Sequence, residues 1–165
     1  MTEEDKKLVA QRLTTRVETG LLFVELDYLA RHSSPDAAWI RNIYILLSFY
    51  AELLLKAVFI MRKDFVNIAE LDEKLKKMGH NLEVIGRQIG KSELLEFGIK
   101  DIKFINREYL VETNEGNFYV KDFNDIRYDF LDGRVRTLNG DEHKLFKKQI
   151  EIMLKINAKL KLLVW

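Results

Sequence analysis

No cysteine occurs in this chain of 165 residues, so disulfides, thiolate nucleophiles and thiolate metal sites are excluded. Proline occurs once and glycine eight times, a scarcity that favours long helices and few turns. Net charge is small as well, +1 at neutral pH, and gives no overall bias toward nucleic acid, membranes or acidic partners. Histidine is limited to His32, His80 and His143, none paired at a metal-ligand spacing, so no metal site is expected. The phosphate-binding loop, the dinucleotide glycine pattern and the nucleophile elbow are all missing, and no cofactor is expected. Gly86 and Gly90 frame a polar interior, so their spacing carries no helix-pairing meaning. The first residues, MTEEDKKLVAQRL, are charged and amphipathic with no apolar signal core, and a cytoplasmic location is the expectation.

What is present suits a folded domain. Hydrophobic residues make up 47% and charged residues 32%, and the length fits a single domain over 1–165. Leu8, Leu13, Val17, Leu21, Val24 and Tyr28 recur at helical spacing and predict a first helix over Thr2–Arg31. Ser34, Pro35 and Asp36 form a start signal for a second helix running to about Lys63. Shorter helices are expected at Ile68–Met78, closing on Gly79, and at Leu82–Ile89, closing on Gly90. Ser92–Ile105 reads as one more helix, capped by Ser92. The period then changes: Glu108–Thr113 and Phe118–Phe123 are β-branched and aromatic runs around Asn114–Asn117, which predicts a hairpin. A last helix from Asp141 to about Leu163 carries the stripe Phe146, Ile150, Met153, Ile156, Leu160 and Leu163.

The second helix holds the most informative stretch. Ile43–Met61 has nearly the length of a membrane span, but Glu52 and Lys56 stand in its middle. Each would cost about 2.5–3.5 kcal/mol on insertion, so a helix surrounded by other helices is the expectation, and no membrane. The two are four apart with the acid first, so they share a face and can pair. Either they line the one solvated strip of the helix, or they are partly buried and need further partners. Candidates for those partners are His80, Arg127, Asp129, Arg134 and Arg136.

Three runs in order carry a resemblance. Phe49-Tyr50-Ala51-Glu52 continuing to Lys56-Ala57, then Gly79-His80-Asn81-Leu82, then Arg127-Tyr128-Asp129 ahead of the last helix resemble the HEPN superfamily, over about Ala37 to Leu163. The resemblance implies a mainly α fold, an antiparallel four- to five-helix bundle, here with one small β-hairpin insertion before the last helix. That hairpin is longer than the simplest members carry. It also implies a homodimer, and a setting beside a minimal nucleotidyltransferase or in RNA-directed defence or toxin–antitoxin systems. Many members are metal-independent endoribonucleases with an arginine a few residues ahead of a histidine; others have lost that motif and act as binding modules.

Arg136 and His143 fit the nuclease spacing, with six residues between them. His143 would serve as general acid or base and Arg136 would stabilise phosphate charge. Asn139-Gly140 interrupts that segment, which puts the arginine on a connection outside the helix. The resemblance marks His80 as a family position with a structural role at a helix start. From Arg134 to Lys161 eight cations face three acids, a net +5, and Lys147, Lys148 and Lys155 could track an RNA backbone. The alternative is that they only keep a helix surface solvated. The reading favoured at this level is a non-catalytic binding module in an RNA- or nucleotide-related system. Its rivals are a ribonuclease toxin using Arg136 and His143, and a protein-interaction partner of a nucleotidyltransferase.

Overall fold

A computed structural model describes residues 1–31, 37–122 and 140–165, with the side chains of 37, 38, 40 and 140–145 left aside. Among the described residues six helices and three strands follow one another: α1 Glu3–Arg31, α2 Ala37–Arg62, α3 Ile68–Met78, α4 Leu82–Ile89, α5 Lys91–Glu96, β1 Ile99–Ile105, β2 Glu108–Thr113, β3 Gly116–Lys121 and α6 Gly140–Val164. The fold is mainly helical with a small antiparallel sheet before the last helix. The expected start signal Ser34-Pro35-Asp36 lies outside the described residues.

Three long helices make the body. α1 and α2 are antiparallel: Tyr28 stacks on Trp39 at 5.7 Å near one end, and Lys6 reaches Asp64 at 3.3 Å near the other. α6 returns along α1, with Phe146 on Tyr28 at 4.4 Å and the Asn157 amide donating to the Thr14 carbonyl at 2.9 Å. The shared core holds Val17, Leu21, Leu54, Ile60, Ile85, Ile89, Ile99 and Leu160, all essentially inaccessible. Among the described residues, α2 alone contains a segment long and apolar enough to cross a membrane, Arg41–Arg62. Two-thirds of that window (67%) is buried inside the fold, so its apolar surface is already used in the core.

The sheet corrects the expected hairpin, and with it the expected helix at Ser92–Ile105. α5 stops at Glu96, Gly98 takes a positive φ of 81°, and the chain leaves as strand β1. β1 pairs antiparallel with β2, Ile105 opposite Glu108, across a two-residue turn of Asn106 (φ 52°) and Arg107 (φ 67°). Both turn residues are left-handed, the geometry that matches strand twist, though no glycine advertises it. β3 starts at Gly116, two residues earlier than expected, opposite Thr113. The helix count also exceeds the four to five expected, because a six-residue helix precedes the sheet.

β1 is an outer strand of the order β1-β2-β3, and its outward backbone N–H groups need acceptors. Asp101 accepts from Ile102 N–H and Glu83 of α4 accepts from Phe104 N–H, both at 2.9 Å, which closes part of this edge to further strand pairing.

At α5, Glu93 is held down to about 2 by the Ser92 hydroxyl, its own backbone N–H and the Lys63 ammonium, which donates at 3.1 Å. The folded chain therefore binds this proton less readily than the unfolded chain, whose carboxyl sits near 4.5. Its stabilising effect is complete above that range and is lost as pH falls toward 2. Urea melts of Glu93→Gln and the native chain should differ most at neutral pH and converge near pH 2. A difference that stays constant with pH would show that Glu93 acts only by packing.

Candidate functional site

Glu52, Lys56 and His80 converge. Glu52 lies mid-way along α2, where burial on most sides leaves its side chain 5% exposed. Lys56, one turn later, donates to Glu52 Oε1 at 2.7 Å and is itself 13% exposed. The other carboxylate oxygen, Oε2, meets His80 Nδ1 at 2.7 Å. Both Glu52 oxygens are thus engaged, as burial of a carboxylate demands.

The turn that delivers His80 is built by its neighbours. Gly79 ends α3 at a φ of 58°, a value that side chains rarely adopt, and its N–H returns to the Lys76 carbonyl at 3.1 Å. Asn81 starts α4 by accepting from Val84 N–H at 3.0 Å. A stop and a start on either side of one residue leave His80 little choice of direction, and it points back at α2. Its ring is half-exposed, 47%. With Glu52 ionised, the carboxylate can only accept, so Nδ1 carries the hydrogen and the tautomer is set. Chemically, the arrangement holds an imidazole in fixed orientation at the surface and ties the α3–α4 corner to the central helix.

The remaining expected residues divide as follows. Arg127 and Asp129, proposed for this cluster, and Arg136, proposed for catalysis, lie outside the described residues, as does Arg134. His143 falls in the first turn of α6, and its side chain is likewise outside them. Lys147 and Lys148 are exposed on α6. Lys155 is also exposed but donates to Glu115 Oε2 at 2.9 Å, in the turn between β2 and β3. That pairing raises the lysine and lowers Glu115, and a phosphate at Lys155 would compete with this carboxylate. Among the described residues, no group of three or more histidines and carboxylates is arranged to hold a metal ion.

Arg12 and Arg16 escaped the sequence reading. They lie one turn apart on α1, and neither has an acid three or four residues away, a signal of unpaired charge that helix spacing does disclose. Comparison of the chain with family models, curated proteins and solved structures gave no match.

Proposed function

We propose that this chain is a HEPN-like helical binding module, non-catalytic and homodimeric, working in the cytoplasm in an RNA- or nucleotide-related system of the defence or toxin–antitoxin kind. The observation that carries it is the Glu52–Lys56–His80 cluster. Its three members come from two of the runs that resemble the HEPN superfamily, and they are engaged with one another at 2.7 Å. A carboxylate only 5% exposed that holds an ammonium on one oxygen and a ring on the other organises structure. Self-association is supported by Leu22, Leu26 and Leu29 on the outward side of α1, between 45% and 67% exposed, a strip that a second copy would cover.

The test is incubation of the purified protein with several RNAs in EDTA, together with retention on immobilised RNA over a salt series. Intact RNA and salt-sensitive retention are expected. Cleavage that disappears in Arg136→Ala and His143→Ala would replace this reading with the ribonuclease. Intact RNA with no retention at low salt would leave partner binding to a nucleotidyltransferase in its place.

A further inference from the structure

An open groove of about 750 Å³ runs along the exposed side of α1 beside the Leu22–Leu26–Leu29 strip, and reaches α2 at Tyr50. Arg12 and Arg16 stand in it, and aromatic rings come from three separate elements: Phe23 of α1, Tyr50 of α2 and Trp165 at the end of the chain. Among the described residues, no acidic side chain lines the groove. Phe23 is 63% and Trp165 77% exposed, so two flat apolar faces stand in water beside two cations. Tyr50 can lie down on α1 because residue 20 is glycine; a Cβ there would fall 2.1 Å from the ring.

The two arginines differ from the ion-paired cations of this fold. Lys74, Lys76 and Lys77 on α3 each pair with an acid one turn earlier. Lys161 of α6 takes Glu18 of α1. Arg12 has no ion pair among the described residues, and Arg16 has only the ring of Phe49, 5.6 Å from its guanidinium carbon. An exposed arginine costs little by itself. Two of them with aromatic neighbours and no acidic side chain among the described lining make a cationic surface with stacking faces, and that combination selects its occupant.

Two occupants compete for such a surface. A second copy of the chain, meeting the groove about a two-fold axis, would bring the same two arginines toward their own images, with no acidic side chain of the described lining between them. Like charges so placed oppose association. A ligand with repeated negative charge and planar rings satisfies every group instead. Guanidinium forks match phosphate oxygens, and bases stack on exposed indole and phenyl faces without demanding one sequence. The groove spans positions 11 to 23 of α1, about 18 Å at helical rise, which covers about five stacked nucleotides.

We propose that this groove binds single-stranded nucleic acid, with Arg12 and Arg16 on successive phosphates and bases stacked on Trp165 and Phe23. The inference rests on the RNA-related reading above but moves the contact surface from the lysines of α6 to α1. Lys147 and Lys148 then serve only to solvate their helix.

Trp165 reports on the site directly, since the only other tryptophan, Trp39, is buried at 6% exposure. Titration with an eight-residue oligouridylate should quench its emission, and the effect should weaken steadily as salt rises. Arg12→Ala combined with Arg16→Ala should weaken binding roughly tenfold or more, while Lys147→Ala with Lys148→Ala should change it less than about twofold. Trp165→Ala, followed by anisotropy of a labelled oligouridylate, should lose a similar factor. All three sites are exposed, so circular dichroism should be unchanged in every variant. Binding that survives the arginine changes and is lost with the lysine changes overturns the groove but leaves the RNA-related reading standing. No binding by the native chain at low salt overturns both. Emission that ignores the oligonucleotide but shifts on dilution overturns the groove in favour of a second copy seated there.

Discussion

Glu52→Ala should destabilise the fold by about 3–5 kcal/mol, the cost of leaving one member of a buried ion pair uncompensated. Lys56 would keep an ammonium on a side chain only 13% exposed, with its carboxylate partner gone. His80 would lose the contact at 2.7 Å that orients its ring. Urea denaturation should show the loss as a lower midpoint with little change in slope, because the folded surface stays the same. Glu52→Gln combined with Lys56→Met separates the pair's net worth from the cost of breaking it. That double variant removes both charges at similar volume and should recover most of the stability, since buried pairs often break even against apolar packing. A loss below about 1 kcal/mol for Glu52→Ala would mean that the Lys56 ammonium reaches water unaided. The cluster would then be a solvated strip that happens to include a histidine, and the main support for the binding-module reading would go with it.

That cluster shows where sequence reasoning reaches and where it stops. The four-residue spacing of Glu52 and Lys56 made the pair legible. Its burial was not, because spacing on one helix says nothing about what packs over the face. The α3 and α4 boundaries could be read from Gly79, Asn81 and Gly90, residues with local conformational demands that tertiary contacts rarely override. β1 failed for the opposite reason. Ile99 and Ile102 are three apart and buried, the spacing of a helix face, yet they belong to a strand whose register shifts between Ile99 and Asp101 and which packs on α4 and α5. The features that decide the strand are the left-handed Asn106 and Arg107, a pair with no glycine to announce a tight turn. The α1 groove was the least accessible. Its aromatic walls come from positions 23, 50 and 165, and only the packed fold brings them beside Arg12 and Arg16.

Gly20→Ala should reverse the usual sign of a glycine-to-alanine change in a helix. In an unobstructed helix interior, alanine gains about 1 kcal/mol over glycine. Here the added methyl would sit 2.1 Å from Tyr50 Cζ and 2.3 Å from its hydroxyl oxygen, well inside any real contact. Tyr50 is half-buried and packs edge-on against Phe49 at 5.5 Å, so its ring cannot yield without disturbing that contact. Overpacking of this kind costs about 1–3 kcal/mol, enough to outweigh the propensity gain. Tyr50→Ala removes the obstruction, so in that background Gly20→Ala should become stabilising by up to about 1 kcal/mol. The change of sign between the two backgrounds, read from urea midpoints, is the result that identifies steric contact as the cause. A stabilising Gly20→Ala in the native background would show that the tyrosine swings aside freely. The same substitution also reaches the groove: a displaced Tyr50 ring intrudes on the space between Arg16 and Phe23, and oligouridylate affinity should fall with stability. If Gly20→Ala lowers stability and leaves that affinity untouched, Tyr50 forms the wall of the groove without taking part in what it binds.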